Sequence, residues 1–441
     1  MASTRLQRTP SSSGSNSKFT FSAWVKRTLI YVFSPIFSAG SSGQSQVVFT
    51  ANDELAVYDG ATVILKTNRV FQDTSAWYHI VVTLDATQSG TDKAKLYVNG
   101  VQETSFATDG RSSFSSLAKA NQSGEIQDIG GDGAGNFEGL MSHIHMTDNY
   151  AYQASTFGST DATTGEWKIN TAPSVTYGTN GFFILKDGNS VTDQSGNSNN
   201  FAVNAGTLSS TVDCPSNVYS TWNYLSRSAA SGIQNGGWGN GATYVATSTN
   251  NNHRSFGSTL AFPGTGKFYG EFKIGNLGGY IAIGIMEAEA ANKILSQTDT
   301  GNFSSSSVGY SYRNDGNKET GGSSTSYGNS YTSYDYIGVA YNNGALWFSK
   351  NGTWQNSATI SEIAAGTTTN AAFTGISTTK DYLFMFRGHN DSMIDGNFGN
   401  GWFRTTEVGS PNNPSSGDTA AKFKYAVPTA FQPLSTKGLN S

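Results

Sequence analysis

Apolar and polar residues alternate with a period of two in several short segments of the first half of the chain. The clearest of these segments span residues 19–25, 77–85 and 137–146. One face of the first segment carries Phe19, Phe21, Ala23 and Val25. A period of two is the spacing of side chains on one face of a β-strand, so the pattern predicts half-buried strands.

The second half of the chain repeats this alternation. Its strongest segments span residues 267–274, 280–286, 334–354 and 381–387. Residues 280–286 are apolar on both faces, which is typical of a central strand in a sandwich. The one helical segment of note is predicted at 287–295.

Asn-Gly dipeptides punctuate these strands. Asn343-Gly344 and Asn351-Gly352 both lie within 334–354, and Asn99-Gly100 follows an apolar run at 95–98. Asn-Gly favours two-residue hairpin turns because both residues tolerate a positive φ. Residues 334–354 are therefore predicted to form a meander of three short antiparallel strands.

Composition also favours an all-β chain. Glycine (51 residues), phenylalanine (26) and tyrosine (21) are abundant, whereas only 13% of residues are charged. Many aromatic residues separated by glycine and asparagine are typical of short strands joined by tight turns. A chain of 441 residues suits two domains, since domains usually contain about 100–200 residues. The predicted fold class is all-β, with two antiparallel β-sandwich (jelly-roll) domains in tandem.

The alternation fades between residues 206 and 221, which predicts a domain boundary there. The expected domains are 1–205 and 206–441, the second with a C-terminal extension. Residues 150–177 have a weaker pattern and are expected to be connective. No heptad repeat is present, so no coiled-coil stalk is expected.

Charge and cysteine content narrow the expected partners. The formal net charge is −4 and no long basic run occurs, so neither nucleic acid nor membrane insertion is expected. A membrane-spanning helix needs about 20 consecutive apolar residues, and no apolar run in the chain approaches that length. Cys214 is the only cysteine, which excludes an intrachain disulfide and suits a reducing cytoplasm. Residues 1–17 lack the apolar stretch of a Sec-type signal peptide, so release by lysis or within a particle is expected.

Three segments of the first half resemble a laminin-G-like (concanavalin A-like) jelly roll. They are residues 19–27, 77–85 with the sequence WYHIVVTLD, and 96–100 with the sequence LYVNG. The order and spacing of these segments carry the resemblance. It implies a β-sandwich over 1–205 of a kind that binds other molecules.

Four segments of the second half resemble a SPRY domain, over about residues 267–386. They are residues 266–272, 281–285, 336–341 and 346–352. This resemblance implies a second β-sandwich used for protein recognition.

A set of short blocks is similar to virion proteins of marine and cyanobacterial phages. The blocks are residues 137–145, 157–158, 165–167, 177–182, 193–197, 397–399 and 428–431. The resemblance implies a non-enzymatic structural protein located in the virion: a tail fibre, an appendage or a capsid decoration component. It implies other virion proteins as partners, with a host-surface glycan or protein as a further ligand. A homo-oligomer is expected, and a trimer follows by analogy.

A phage depolymerase or glycoside hydrolase acting on host-surface polysaccharide is the alternative function. Its candidate residues are Glu125 and Asp128. A retaining pair needs carboxyl groups about 5–5.5 Å apart, but residues three apart on an unbulged strand point to opposite faces. The resemblance places a third carboxylate where Gly130 and Gly131 stand. No catalytic residue is therefore expected, and the two carboxylates are interpreted as a solvated strand end.

Histidines and a glycine-rich stretch raise the question of a metal site. His143 and His145 are predicted to share a strand face, where two imidazoles can bind zinc, but the sequence nominates no third ligand. His79, His253 and His389 are isolated in the sequence. We therefore expect neither a metal nor a cofactor.

Residues 130–136 are glycine-rich without a following helix, so a phosphate-binding loop is not predicted. We expect a flexible loop or plain turn there. Asp132 and Asn136 leave a calcium site open as an alternative. Cys214 is expected to be a buried small residue, because no activating base is near it in the sequence.

Residues 310–336 alternate tyrosine with serine, glycine and asparagine. Such a composition is typical of adaptable recognition surfaces. The stretch is expected to be a loop, and an edge region that packs against a neighbouring subunit is the equally supported alternative.

Overall fold

The structure, a computed structural model, describes residues 4–41, 43–186, 190–227, 238–239, 241–247, 253–295 and 302–441. The chain divides into two units, Met1–Ser210 and Thr211–Ser441. In the described ranges, the regular secondary structure of both is almost entirely antiparallel strand, so the predicted all-β fold class is confirmed. None of the helices in the described ranges is long and apolar enough to cross a membrane.

The first unit is built from short strands joined by turns. They are β1 (Arg5–Arg8), β2 (Lys18–Arg27), β3 (Ser34–Ala39), β4 (Ser45–Phe49), β5 (Glu54–Asp59), β6 (Thr62–Val70), β7 (Trp77–Asp85), β8 (Ala94–Val98), β9 (Val101–Gln102), β10 (Phe106–Asp109), β11 (Gln127–Ile129), β12 (Gly139–Asp148), β13 (Gly158–Thr160), β14 (Trp167–Ile169), β15 (Phe182–Ile184) and β16 (Ala202–Ala205).

Two sheets of the first unit enclose one hydrophobic core. One sheet has the strand order β10-β6-β5-β4-β3-β11-β1-β16, and the other has the order β15-β12-β2-β7-β8-β9. The alternating apolar residues predicted at 19–25 and 77–85 line this core, where the rings of Phe21 and Phe37 lie 5.3 Å apart. The predicted turn is also confirmed, since Asn99 and Gly100 have φ values of 48° and 80° between β8 and β9.

Strand β2 is buried on both faces, whereas the alternation predicted a half-buried strand. The segment 150–177, predicted to be connective, supplies the second cover. Tyr152 donates its backbone N–H to the hydroxyl of Thr20 at 2.7 Å, and Phe157 packs against Val81 and its neighbours. The segment covers the sheet with irregular backbone and one hairpin, β13-β14. Such backbone has only a weak periodicity, so the sequence pattern did not indicate the covering role.

His79 of β7 lies fully buried beneath this cover. Its ring stacks on Trp24 at 4.8 Å, and its Nδ1 accepts a hydrogen bond from the indole N–H of Trp167 at 2.9 Å. An indole can only donate, so the neutral ring carries its proton on Nε2, which lies 2.9 Å from the Ser22 hydroxyl. Burial lowers the pKa of His79 to about 3. His79, isolated in the sequence, therefore has close aromatic and hydroxyl partners in the structure.

Replacing Trp167 by phenylalanine is expected to lower the free energy of unfolding of the first unit by about 1–3 kcal/mol, because His79 Nδ1 would stay buried without a donor. Hydrogen–deuterium exchange of peptides from β7 in the full chain measures the change. The double variant His79→Phe/Trp167→Phe serves as the control and should recover most of the loss, since it removes both polar groups. A Trp167→Phe variant as stable as the wild type would contradict this account.

The second unit contains further strands and, within the described ranges, three α-helices. The strands are β17 (Trp222–Arg227), β18 (Trp238–Gly239), β19 (Tyr244–Ala246), β20 (Arg254–Ser258), β21 (Phe262–Pro263), β22 (Lys267–Asn276), β23 (Tyr280–Glu287), β24 (Gly309–Arg313), β25 (Asn317–Thr320), β26 (Ser323–Ser326), β27 (Tyr336–Asn342), β28 (Ala345–Lys350), β29 (Thr353–Trp354), β30 (Asp381–His389), β31 (Met393–Asn397), β32 (Trp402–Phe403) and β33 (Thr406–Glu407). The helices in the described ranges are α1 (Ala288–Leu295), α2 (Ile360–Ala365) and α3 (Thr436–Leu439).

These strands also form a sandwich. One sheet has the order β17-β20-β30-β23-β24-β25-β26, with β21 paired to β30, and the other has the order β18-β19-β31-β22-β27-β28-β29. Aromatic rings fill the space between the sheets. Phe272 of β22 lies 5.7 Å from Phe384 of β30 and 5.6 Å from Trp222 of β17, measured between ring centres.

The predicted meander and helix are both present. Asn343 and Gly344 turn the chain between β27 and β28, and Asn351 and Gly352 between β28 and β29, all with positive φ. Helix α1 matches the prediction within one residue.

The C-terminal segment adds a third layer to part of this sandwich. Residues 411–434, called the C-terminal cover below, place Phe423 and Phe431 against Tyr269, Ala340 and Trp347. The last three are cross-strand neighbours on β22, β27 and β28, and they face away from the core between the sheets. The sheet that contains β22, β27 and β28 is called the seven-stranded sheet below. Its outer face is therefore covered along one part of its length.

Candidate functional site

The tyrosine-rich stretch 310–336 contains three strands, where its composition predicted a loop. It contains β24, β25 and β26, and half of its tyrosine rings are buried. The buried rings are Tyr312, Tyr327 and Tyr331, which pack around one another and around Phe348. Tyr334, by contrast, is 72% exposed. Near the C-terminal end of the stretch, Tyr334 is therefore the tyrosine ring most open to solvent.

That end joins a row of side chains on the seven-stranded sheet. Tyr244 of β19 pairs with Asp395 of β31, Asp395 pairs with Lys273 of β22, and Lys273 pairs with Tyr336 of β27. Directly opposed residues share one face of a sheet. These four residues, called the tyrosine row below, cross four strands on the outer face. Lys273 lies two positions after Glu271, which the C-terminal cover buries, so the row marks where that cover ends.

One end of the tyrosine row is organised by Arg404. Its guanidinium carbon lies 3.7 Å from the centre of the Tyr244 ring, and its Nε donates to Asp395 Oδ1 at 3.2 Å. Arg404 follows β32 with a φ of 53°. The arginine thus holds the aromatic ring and the carboxylate in one arrangement.

The other end is organised around Tyr336. Its ring meets Phe403 edge to face at 5.0 Å and Tyr425 at 5.9 Å. The ammonium groups of Lys273 and Lys424 lie 5.7 and 5.0 Å from the centre of the same ring. Tyr336 is half-buried, so part of the ring remains open to solvent.

Burial shapes the protonation of the row. It raises the pKa of Asp395, and the charges of Arg404 and Lys273 oppose that rise. It also raises the pKa of Tyr336 and Tyr244, so both phenols keep their protons at neutral pH. The row therefore offers phenol and ammonium donors beside a carboxylate acceptor, together with two aromatic platforms.

The predicted carboxylates of the first unit have separate partners. Glu125 precedes β11 and pairs with the Lys119 ammonium at 2.6 Å. Asp128 is only 3% exposed, so the interpretation as a solvated strand end is wrong for this residue. Gln7 Nε2 donates to Asp128 at 3.1 Å, and Arg5 lies 3.7 Å away. Burial raises the pKa of Asp128.

The glycine-rich segment 130–136 is fastened by Asp132. Its Oδ1 accepts the backbone N–H groups of Ala134 and Gly135 at 2.8 and 2.6 Å. Its Oδ2 accepts Gln46 Nε2 at 2.7 Å, and Asn136 pairs with Gly131 in an isolated bridge. Both oxygens of Asp132 thus hold the segment in place against β4.

His143 and His145 both approach Phe183, at 5.6 and 3.9 Å between ring centres. A register shift interrupts β12 between Ser142 and His145, and His143 has a φ of 49°. His145 is buried, and its Nδ1 lies 3.0 Å from the Tyr177 hydroxyl. Across the described ranges of the chain, no group of three or more His, Cys, Asp or Glu side chains is placed to hold a metal ion.

The remaining histidines and the cysteine also differ from expectation. His253 and His389 lie 4.4 Å apart between ring centres, and both contact Tyr280, so they are not isolated. Burial lowers the pKa of His253 to about 3. Cys214 is half-buried instead of buried, with its sulfur 3.3 Å from the Ser216 hydroxyl.

Sequence reasoning did not single out Tyr244, Lys273 or Asp395. Each is a polar or aromatic residue at an outward position of a strand, which is a pattern shared by many surface residues. The alternation indicates that Lys273 faces away from the core, but nothing local indicates which strands lie beside β22. The one usable signal was Tyr336 at the end of the tyrosine-rich stretch.

Residues 3–154 match a laminin-G family model described as the concanavalin A-like lectin/glucanases superfamily. The match confirms the predicted laminin-G-like jelly roll in the first unit. No curated protein matches the chain.

Two solved structures illustrate the likenesses at the level of coordinates. The SPRY domain of human HERC1 has a TM-score of 0.28 and 14% identity, covering 40% of this chain and 96% of that one. A Bacteroides ovatus protein proposed to bind carbohydrate has a TM-score of 0.30 and 16% identity, covering 48% and 60%. Scores this low do not establish a shared fold, so the SPRY resemblance of the second unit stays a prediction.

Proposed function

We propose that this protein is a non-enzymatic, glycan-binding structural protein of a bacteriophage particle and that the tyrosine row is one of its binding surfaces. The row carries the proposal. It combines two half-buried phenol rings with a lysine and a carboxylate on one sheet face. A sugar can stack its C–H face on such a ring while its hydroxyl groups exchange hydrogen bonds with the polar side chains beside it.

The first unit adds support of a different kind. The description of its matching family model names lectins as well as glucanases. The contacts of Asp128 and Asp132 favour the lectin side, because Gln7 donates to one oxygen of Asp128, and Gln46 and two backbone N–H groups occupy both oxygens of Asp132. A carboxylate that acts as nucleophile or acid must instead face the glycosidic bond.

The binding surface is tested by replacing Tyr336 with alanine. Affinity for the best ligand from a glycan array is expected to fall about tenfold or more, as for an aromatic anchor at the centre of an interface. Tyr336→Phe keeps the stacking ring and should stay near the wild type. Tyr150→Ala, which removes an exposed ring of the first unit, is the matched control. Calorimetry with full-length variants of unchanged melting temperature measures these affinities.

The proposal fails if the full chain binds no glycan, or if Tyr336→Ala binds as tightly as the wild type. Its non-enzymatic part is tested by incubating the bound polymer with the protein and measuring new reducing ends. Chain cleavage that disappears in Asp128→Asn would favour the depolymerase alternative.

Placement in a phage particle rests on the sequence blocks that resemble virion proteins. Mass spectrometry and antibody labelling of purified particles should find the chain on the particle. Light scattering of the purified protein should give three times the chain mass if the expected trimer forms. Absence from particles would contradict the structural role without affecting the glycan-binding part.

A further inference from the structure

We infer that the ligand of the tyrosine row is an anionic glycan, with a carboxylate or sulfate group placed beside Tyr336. This inference rests on the proposed function and adds the chemical class of the ligand. It follows from two lysines that approach the Tyr336 ring and form no ion pair among the described residues.

The cations near the row fall into two groups. Three of them have a carboxylate partner: Arg404 with Asp395 at 3.2 Å, Lys350 with Asp335 at 3.2 Å and Lys422 with Glu407 at 3.7 Å. Lys273 and Lys424 form no ion pair within the ranges that the structure describes, and both approach the Tyr336 ring. The chain as a whole has a net charge of −4, so this local excess of positive charge runs against its average.

The nearest buried carboxyl group does not neutralise these lysines. Glu271 is fully buried, and its two oxygens accept the backbone N–H groups of Lys424 and Tyr425 at 2.7 and 2.8 Å, together with the Tyr269 hydroxyl. Asp395 is shared with Arg404. Among the described residues, Lys424 therefore has no ion-pair partner, and Lys273 interacts with Asp395, whose charge is shared with Arg404.

The geometry suits one anionic group better than a diffuse basic surface. The two ammonium groups approach one half-buried ring from two different elements, β22 and the C-terminal cover. A sugar stacked on Tyr336 would bring an acidic substituent within reach of both. Charge-assisted hydrogen bonds of this kind are stronger than those between neutral groups.

The experiment compares polymers that differ only in charge. Polygalacturonate and its methyl ester share one backbone, and dextran sulfate and dextran form the second pair. Full-length protein is expected to bind one or both acidic polymers about tenfold more tightly than the neutral counterpart. Lys273→Gln and Lys424→Gln should each weaken binding of the acidic polymers several-fold and binding of the neutral polymers by less. Lys422→Gln, whose lysine is already paired, is the control.

The two acidic polymers distinguish the source of the charge, since preference for one of them identifies the carboxylate or the sulfate. Equal binding within both pairs, with Tyr336→Ala still weakening it, would overturn the inference and leave the proposed function standing. Acidic binding that Tyr336→Ala does not change would overturn the inference as well, because it indicates general attraction between polyanion and protein. Binding of none of the polymers, together with a blank glycan array, would instead contradict the proposed function.

Discussion

Replacing Asp53 by asparagine is expected to lower the free energy of unfolding of the first unit by about 3–5 kcal/mol. Asp53 and Arg27 form an ion pair at 2.9 Å, with side chains that are 0% and 1% exposed. Arg27 also donates to the Phe71 carbonyl at 2.6 Å and stacks over the Phe49 ring. Asparagine keeps the size of the side chain and tolerates the φ of 64° at this position, so the variant removes mainly the charge.

The large effect follows from where the remaining charge would be. Burial already lowers the pKa of Arg27, and the negative charge of Asp53 is the largest influence that opposes this shift. Without the aspartate, the guanidinium would stay in the core unpaired. The Tyr31 N–H and Gln72 Nε2 groups, which now donate to Asp53 at 2.8 and 3.0 Å, would also face a weaker acceptor.

Hydrogen–deuterium exchange of the full chain reports the stability of the first unit separately. Asp92→Asn is the matched control, because its ion pair with Lys95 is largely exposed and should contribute less than about 1 kcal/mol. The double variant Arg27→Met/Asp53→Asn should recover much of the loss, since it removes both charges. Equal effects of Asp53→Asn and Asp92→Asn would show that the pair contributes no more than a surface contact.

The second prediction concerns pH and the buried Glu271. Burial raises the pKa of its carboxyl group to about 7, although backbone N–H groups of Lys424 and Tyr425 oppose the rise. Between the ordinary glutamate pKa and about 7, the folded protein keeps a proton that the unfolded chain releases. Stability from this group is therefore fully present at low pH and is lost as pH rises to about 7. The shift corresponds to a loss on the order of 3 kcal/mol.

The comparison that isolates this effect is wild type against Glu271→Gln at each pH. His253 and His389, whose pKa values are lowered by burial, change the stability of both proteins in the opposite direction and cancel in the difference. The free energy of unfolding of the wild type should exceed that of the glutamine variant by the largest amount at pH 5. This difference should shrink by about 3 kcal/mol towards pH 8.

Hydrogen–deuterium exchange in the C-terminal cover measures this gap, because Glu271 holds that segment. Glu407→Gln, which alters a largely exposed carboxylate near Lys422, should show no comparable trend. A constant gap between wild type and Glu271→Gln would show that the carboxyl titrates in its ordinary range.

The two predictions share a feature with the proposed site. In each case a polar group sits where the sheets and their covering segments exclude most water, and its partners come from distant parts of the chain. Arg27 and Asp53 are 26 residues apart, whereas Glu271 and Lys424 are 153 apart. The strength of such a buried interaction depends on how far water is excluded, and therefore on the whole fold.

Helix α2 begins with a capping signal that is visible in the sequence. Thr359 and Glu362 form a reciprocal capping box, with the Thr359 side chain accepting from the Glu362 N–H. The spacing of threonine and glutamate is visible in the sequence and is a known helix start. The helix was nevertheless absent from the sequence-based prediction, because the segment lacks a long apolar periodicity.

The sequence alone determined the strands with clear alternation, the Asn-Gly turns and the all-β class. These features depend on residues within a few positions of one another, since side-chain alternation and positive φ are local properties. The extended runs at Trp77–Asp85 and 334–354 could therefore be assigned without knowing their neighbours.

The tertiary structure decided which strands lie side by side and which faces are covered. Tyr244, Lys273, Tyr336 and Asp395 become neighbours only because β31 pairs between β19 and β22. In the same way, the irregular segment 150–177 closes the outer face above His79. Pairing between distant strands and burial by distant segments reflect the packing of a whole unit, so no local pattern specifies them.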